Sequence, residues 1–509
     1  MKKLGIGIQF LSELISGGYV YVDKTQLIHQ LISSGKYFFL SRPRRFGKSL
    51  LVSTLKEIFS GNRELFRDMW IYDRIEWREH SVIHIDFTRI QYRERGLEAA
   101  LHYYLDQLAR SYGIELTNPA YGGKLIELVE FLYQKAEVVL LIDEYDKPII
   151  DYLGDLDRAE ANREILKSFY SSIKGMGEQL RFVFVTGVSK FSKVSIFSDL
   201  NNLQDITINE PYNQLLGYTW LEIEHFYGDY LKPLADKFKF RPDELFARIS
   251  SWYNGYSWDG EHFLYNPFSI LNLLSSRQFQ NYWFTTGTPT FLVETIRDRH
   301  IDVNMLSRLI VNQSFFDKFE LRRLDIYSLL FQTGYLTIKK IDWEADRYYL
   351  SYPNEEVRVS LLRNLLEVFS HRVQSETGAM IFRMEDALES GDMELFISAL
   401  QALFASIPYQ IFIEQLEYYY QSVIYVALKL VGVRLTCEAQ THKGRIDAVI
   451  ETRQRIYVME FKMGTADEAL KQIGDKGYGI PYQADGREVV KLGIGFSREQ
   501  RNIADWRIG

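Results

Sequence analysis

The sequence predicts an α/β protein with an N-terminal parallel-sheet domain, a mostly helical middle region and a smaller C-terminal α/β domain. In the first region, short apolar runs end in polar loops and are followed by helical patterns, which is typical of a sheet covered by helices. The second region is rich in aromatic residues at helical spacing, and the third alternates again between helices and strands. These changes of pattern place the predicted domains at residues 1–220, 221–400 and 401–509.

Composition is that of a folded globular protein, with 46% hydrophobic and 25% charged residues. The net charge of −7 provides no global positive field for nucleic acid, although a local basic patch could still bind it. The single cysteine, Cys437, excludes an intrachain disulfide and fits a reducing compartment. The N-terminus lacks a signal-peptide pattern, and no apolar run reaches the roughly 18 residues of a membrane span. We therefore expect a cytoplasmic protein without a membrane partner.

The strongly apolar runs of the N-terminal domain suit strands that are buried on both faces, as in a parallel sheet. Strands are predicted there at 37–40, 82–87, 138–142 and 182–185, with covering helices at Lys48–Phe59 and 161–174. Short strands are predicted in the middle region at 334–338 and 348–352. The C-terminal domain is expected to contain a helix at 411–430, strands at 445–450 and 455–461, a helix from Asp467 and a strand at 491–495.

The first predicted strand runs directly into a candidate phosphate-binding loop, Ser41-Arg42-Pro43-Arg44-Arg45-Phe46-Gly47-Lys48-Ser49, and a helix follows. Backbone N–H groups of such a loop and of the helix N-terminus point at phosphates. Lys48 would contact the β- and γ-phosphates of ATP, and Ser49 would bind Mg²⁺. Arg42 stands where the usual pattern has its first glycine, so the loop alone leaves open a chance Gly-Lys-Ser at a helix start.

An acidic pair at the end of another predicted strand supports the nucleotide interpretation. Asp143 would hold Mg²⁺ through water, and Glu144 would polarise the attacking water. Thr186, at the end of the next strand, stands where a polar sensor of the γ-phosphate is expected, although an ordinary loop residue is the alternative. The predicted nucleotide-binding residues are Arg42, Pro43, Arg44, Arg45, Phe46, Gly47, Lys48, Ser49, Asp143 and Thr186.

A second candidate site lies on the predicted C-terminal hairpin. If its polar turn centres on Arg453 and Gln454, Asp447 faces Glu460. Lys462 then lies on the same face, because side chains alternate along a strand. Two opposed carboxylates need a compensating cation, and Mg²⁺ held by them would polarise a scissile phosphate. A surface hairpin with a cross-strand Glu–Lys pair is the alternative.

Neighbouring helices offer two further residues to this site. The preceding helix offers Glu414 and Glu417 on one face, and one of them, with Glu417 preferred, could complete the carboxylate set. Gln472, on the following helix, could also reach it. Each could equally belong to a solvated helix face. The predicted catalytic residues are thus Asp447, Glu460, Lys462, Glu417 and Gln472, together with Glu144 of the nucleotide site.

Motifs of a known family recur along nearly the whole chain, at 19–25, 42–49, 141–148, 186–192, 200–203, 252–256, 265–268, 282–289, 332–336, 352–356, 444–447, 460–462 and 472–478. On these motifs the chain resembles the bacterial family that joins an AAA-ATPase-like N-terminal domain to a C-terminal PD-(D/E)XK nuclease-superfamily domain. The resemblance implies an AAA-like P-loop fold and a restriction-endonuclease-like fold. It also implies that Arg42 is a family trait. Asp199 and Gly474-Asp475-Lys476 depart from the family pattern, away from the proposed metal site.

Two classes of function follow as hypotheses. The first is an ATP-regulated, Mg²⁺-dependent nuclease in defence or mobile-element biology, with DNA favoured over RNA. The second is a nucleotide-dependent switch, in which ATP orders a homo-oligomer and the C-terminal domain binds nucleic acid or a partner without cutting. No arginine finger can be assigned, because Arg44 and Arg45 could serve phosphate, DNA or a neighbouring subunit.

Overall fold

The computed structural model describes residues 2–190, 196–197, 200, 202–284, 290–299, 301–316, 321, 325–370, 374–405, 416–431, 434–441, 444–497 and 499–509. Within these ranges, the side chains of 290–291, 374, 416–421, 434–441 and 444–446 are not described. Within the described residues, no helix is both long and apolar enough to cross a membrane.

A five-stranded parallel sheet forms the centre of the N-terminal region, in the order β5-β1-β4-β3-β2. Its strands are β1 Tyr37–Ser41, β2 Ser81–Asp86, β3 Val138–Asp143, β4 Leu180–Gly187 and β5 Gln204–Asp205. The helices of this region are α1 Leu11–Ser16, α2 Thr25–Ser34, α3 Lys48–Phe59, α4 Tyr92–Arg95, α5 Leu97–Ser111, α6 Tyr121–Tyr133, α7 Lys147–Ile150 and α8 Leu156–Ser171. The four predicted strands are confirmed, and the two-residue strand β5 was not predicted.

The sheet is stable because its strands bury both faces. Every residue of β3 is buried, as a run of aliphatic residues in a parallel sheet should be. On one face, Phe38 and Leu40 of β1 pack in a core with Leu51 and Leu55 of α3. Helix α8 begins five residues earlier than the predicted 161, because the Asp155 side chain accepts a hydrogen bond from a first-turn N–H and caps the helix there.

Helices dominate the middle region, with one small antiparallel sheet in the order β6-β8-β7. The elements are α9 Trp220–Phe238, α10 Pro242–Tyr253, α11 Pro267–Ser276, α12 Thr290–Asp298, β6 Leu309–Val311, α13 Ile326–Thr333, β7 Thr337–Asp342, β8 Arg347–Ser351 and α14 Glu355–Ser370. The strand predicted at 334–338 starts too early. Gly334 instead ends α13 at a φ of 91°, a backbone conformation that glycine adopts without strain.

The C-terminal region is a mixed five-stranded sheet with helices, in the order β13-β12-β11-β10-β9. Its elements are α15 Gln374–Ser390, α16 Met393–Ala405, α17 Leu416–Leu430, β9 Arg434–Thr441, β10 Gly444–Glu451, β11 Arg455–Lys462, α18 Ala466–Lys476, β12 Glu488–Ser497 and β13 Asn502–Ile508. Strands β11 and β12 are parallel, and the other neighbours are antiparallel. Strands β9 and β13 were not predicted, and residues 411–415 of the predicted long helix lie outside the described residues.

The chain divides into two compact units. The N-terminal unit comprises Met1–Gly287 and Leu309–Val357, and the C-terminal unit comprises Thr288–Arg308 and Arg358–Gly509. The N-terminal unit therefore holds the parallel sheet together with helices α9 to α11 and the small antiparallel sheet. The C-terminal unit holds the mixed sheet.

A buried carboxylate ties together three parts of the N-terminal unit. Glu356 is fully buried and accepts hydrogen bonds from the Ser269 hydroxyl, at 2.7 Å, and from the Trp283 N–H, at 2.8 Å. The Trp283 indole N–H in turn donates to the carbonyl of Arg44, at 3.1 Å, in the predicted phosphate loop. Burial raises the pKa of Glu356 to about 7.

Replacing Glu356 by glutamine should flatten the pH dependence of stability. The pKa of Glu356 in the folded protein lies above the ordinary value of 4.5. The stability that protonated Glu356 contributes is therefore fully present below pH 4.5 and is lost as pH rises through about 7. Between pH 5 and pH 8, we expect the free energy of unfolding of the wild-type protein to fall by up to about 3 kcal/mol. Glu356→Gln should not show this fall. Denaturation midpoints at both pH values test this, with Glu355→Gln as the neighbouring control. Equal pH dependence in wild type and Glu356→Gln would contradict it.

Candidate functional site

The loop between β1 and α3 has the backbone geometry of an anion-binding turn. Gly47 precedes the helix with a φ of 94°, and Arg45 also lies in the left-handed region with a φ of 68°. These two residues turn the chain so that α3 begins at Lys48. The unpaired N–H groups of that helix start are a ready site for phosphate.

The loop meets the acidic pair that follows β3. Asp143 is 2% exposed, and burial is the largest cause that raises its pKa to about 6. The Ser49 side chain acts on the Asp143 carboxylate in the opposite direction and lowers its pKa. Glu144 has a φ of 53°, a strained backbone position for a residue other than glycine. A hydroxyl beside a carboxylate is the pair of ligands that Mg²⁺ takes beside nucleotide phosphates, so these residues fit the ion.

Lys48 points back along its own loop. Its ammonium donates to the carbonyls of Arg42, at 3.0 Å, and Pro43, at 3.2 Å, and its side chain is buried. These are neutral acceptors, and an anionic phosphate would make stronger, charge-assisted bonds to the same ammonium. The contacts hold the lysine beside the loop.

A cavity of about 360 Å³ opens onto this loop. Loop residues from Arg44 to Ser49 line it together with Glu144, which brings most of the predicted nucleotide residues to one place. An apolar part of the lining was not predicted; it includes Ile8, Val20, Tyr218, Phe268 and Leu271. A cationic wall beside an apolar wall suits a ligand with phosphates at one end and a base at the other.

Four of the predicted nucleotide residues, Arg42, Pro43, Asp143 and Thr186, do not line this cavity. The Arg42 guanidinium lies 3.9 Å from the centre of the Trp258 ring and donates to the Thr207 carbonyl. Burial lowers the pKa of Arg42 to about 9. Pro43 has no N–H to offer a phosphate, and the buried Thr186 hydroxyl donates to the Leu40 carbonyl at 2.8 Å. The side chains of Arg42 and Thr186 thus bond to the protein itself, and the binding of nucleotide by these two residues and Pro43 stays a prediction.

Asp146 is a positioning residue that sequence reasoning missed. It is fully buried and accepts hydrogen bonds from the N–H of Val188, at 3.1 Å, and from the N–H and hydroxyl of Ser189, both at 2.6 Å. A Cβ at Gly187 would come within 2.3 Å of the Asp146 carboxylate, so only glycine fits there. Asp146 thus holds the loop after β4 against the Asp143–Glu144 turn.

In the C-terminal unit, the β10–β11 register matches the prediction. Ala448 pairs with Met459, which places Asp447 opposite Glu460 at the next position. The Phe461 N–H donates to the Asp447 carboxylate at 2.9 Å. The structure therefore brings both predicted carboxylates to one end of the hairpin.

Two of the predicted partners also reach this cluster. The Lys462 ammonium lies 3.4 Å from Oε1 of Glu460, and the Gln472 side-chain amide donates to the same oxygen. Glu460 is 1% exposed, and among the described residues its Oε2 has no hydrogen-bond partner. Burial, followed by the neighbouring Asp447 charge, raises the pKa of Glu460 to about 7.

The orphaned oxygen of Glu460 fits a metal ion. A buried carboxylate oxygen without a partner is costly, and a divalent cation shared with Asp447 would satisfy it. Across the described part of the chain, no three His, Cys, Asp or Glu residues form a complete metal cluster. The side chain of Glu417 lies outside the described residues, so its role as a third carboxylate stays a prediction.

Comparison with known proteins supports both parts of this description. Residues 5–197 match the family described as a predicted AAA-ATPase, and residues 415–506 match the PD-(D/E)XK nuclease superfamily. One curated relative, an "Uncharacterized protein in vnfD 5'region" of Azotobacter chroococcum mcd 1, is 40% identical over 521 residues. The match covers 99% of this chain and 98% of the relative.

Lys48→Ala should weaken ATP binding strongly. Loss of a charge-assisted hydrogen bond costs about 1.5–3 kcal/mol, which is roughly 10- to 100-fold in affinity. Titration with a fluorescent ATP analogue would measure the effect. Lys56→Ala, an exposed change on the same helix, is the matched control and should bind as wild type does. Equal affinity in Lys48→Ala and wild type would argue against nucleotide at this loop.

Proposed function

Because the chain belongs to the family that joins a predicted AAA-ATPase-like domain to a PD-(D/E)XK nuclease-superfamily domain, we propose that it is an ATP-controlled, Mg²⁺-dependent nuclease acting on DNA. The observation that carries the proposal is the convergence of Asp447, Lys462 and Gln472 on Glu460, whose second carboxylate oxygen has no hydrogen-bond partner among the described residues. A purely structural hairpin would not bury an unsatisfied acid beside a second one.

Each residue of the cluster has a distinct task in phosphodiester cleavage. A bound Mg²⁺ supplies electrophilic polarisation of the scissile phosphate and of water. Asp447 and Glu460 would hold the ion, and the Gln472 amide orients Glu460 by occupying its Oε1. Lys462 carries the positive charge that can orient the attacking water and stabilise the charge developing on the phosphate.

ATP is the control input in this proposal. Lys48 would bind the β- and γ-phosphates, Ser49 and Asp143 would hold Mg²⁺, and Glu144 would orient the water that attacks the γ-phosphate. The strained backbone of Glu144 supports this assignment, because strain of this kind concentrates at functional sites. A role in defence or on mobile DNA, in the cytoplasm, is the cellular context we propose.

The nuclease proposal predicts that Asp447→Asn and Lys462→Ala lose cleavage by about 10²-fold or more, since each removes charge that the reaction needs. The assay combines supercoiled, linear and single-stranded DNA and RNA with Mg²⁺, with and without ATP. Lys471→Ala, exposed on α18 beside Gln472, is the matched control and should cut normally. Wild-type protein that cuts none of these substrates would defeat the proposal.

The same assay separates ATP control from a switch that does not cut. Lys48→Ala should abolish the effect of ATP on cleavage while leaving the nuclease cluster intact. Cleavage that is identical with and without ATP would show that the nucleotide is not the control input. ATP-dependent assembly by wild type, without cleavage of any substrate, would instead favour a nucleotide-dependent switch.

A further inference from the structure

A groove rich in aromatic side chains lies in the N-terminal unit, outside both sites described above. It has a volume of about 790 Å³ and lies between the end of α9, the exposed face of α10 and the turn after α11. We call it the aromatic groove and define it by the lining residues Lys237, Phe238, Phe240, Arg248 and Phe279. Glu244, Ala247, Ser251 and Gln278 complete its lining.

The three phenylalanines form a fixed platform. Phe238 and Phe240 stack with ring centres 5.5 Å apart and planes 16° from parallel, and Phe279 meets Phe238 edge-on at 5.4 Å. Behind them, Phe279 stacks on the buried Tyr253, with planes 13° from parallel. All three phenylalanines remain half-buried. A rigid platform of rings that still contacts solvent is a surface suited to stacking with another flat group.

Cations surround this platform. The exposed Arg248 guanidinium lies 5.5 Å from the centres of both the Trp252 and Phe279 rings. The Lys237 ammonium lies 5.4 Å from the Phe238 ring centre and donates to the carbonyl of Arg277. The groove is therefore locally basic in a chain whose net charge is −7.

The acidic residue of the lining is already engaged. Glu244 accepts a hydrogen bond from the N–H of Arg241 at 2.8 Å, and its carboxylate lies 3.2 Å from the Arg241 guanidinium. This carboxylate acts as a helix cap for α10. The charges of Lys237 and Arg248 thus stay available to an anionic ligand.

We propose that the aromatic groove binds a short stretch of single-stranded nucleic acid. Unpaired bases would stack on Phe238, Phe240 and Phe279, and backbone phosphates would contact Lys237 and Arg248. Stacking platforms flanked by basic side chains are the common means of binding single strands without sequence preference. The inference rests on the proposed function in one respect, which is that it takes nucleic acid as the ligand. The groove holds a strand and takes no part in its cleavage.

Binding is tested with the full-length protein in EDTA, where no Mg²⁺-dependent cleavage occurs. Fluorescence anisotropy of a labelled 15-nucleotide oligothymidylate should show at least tenfold weaker binding by Arg248→Glu and at least fivefold weaker binding by Phe240→Ala. Lys232→Glu makes the same charge reversal on α9 outside the groove and should bind as wild type does. The slope of affinity against salt should also be smaller for Arg248→Glu.

Binding and cleavage separate the two proposals. Asp447→Asn should bind the oligonucleotide normally. A loss of cleavage with retained binding is therefore consistent with the groove proposal. The groove proposal is overturned if wild type does not bind, or if folded Arg248→Glu binds as tightly as wild type. It is also overturned if a peptide rich in Asp, Glu and Phe binds in place of the oligonucleotide in an Arg248-dependent manner. Thermal unfolding confirms that each variant is folded.

Discussion

The candidate nucleotide site depends on the parallel pairing of β1 and β3 with β4, the strand between them. Parallel strands end at the same edge of a sheet, so Ser41, Asp143 and Gly187 finish together although they are far apart in sequence. From that edge, one loop turns into α3 and another turns into the acidic pair. The two turns meet where Ser49 and Lys48 of the first act on the Asp143 carboxylate of the second. The remaining features of the site, from the strained Glu144 to the anchoring carboxylate of Asp146, hold these turns in place.

In the C-terminal unit, a different constraint brings charged side chains together. There the alternation of side chains along two antiparallel strands puts Asp447, Glu460 and Lys462 on one face. Helix α18 then adds Gln472, whose amide donates to one oxygen of Glu460, while the other oxygen has no hydrogen-bond partner in the described part of the chain. A shift of the hairpin by one residue would turn one strand's charged side chains away from those of the other.

The sequence predicted those features that follow from local pattern and strand period. The four longer strands of the parallel sheet, the meeting of the phosphate loop with Asp143 and the register of the C-terminal hairpin were all accessible in this way. The packing of Arg42 on Trp258 was not predicted, because Trp258 lies more than two hundred residues away and no local pattern reports such a contact. The same reason explains the missed apolar wall of the cavity, which Phe268 and Leu271 help to form. Strand β5 was missed because two residues show no periodicity.

The packing of Arg42 and Trp283 affects where this protein can be cut into recombinant fragments. The match to the predicted ATPase family ends at residue 197, which invites a recombinant fragment that stops soon afterwards. Such a fragment would lack Trp258, leaving the Arg42 guanidinium without its aromatic cover, and would lack the indole that contacts the Arg44 carbonyl. The compact unit that keeps both contacts comprises residues 1–287 and 309–357. A fragment that keeps this unit whole is therefore drawn from two separate stretches of the chain.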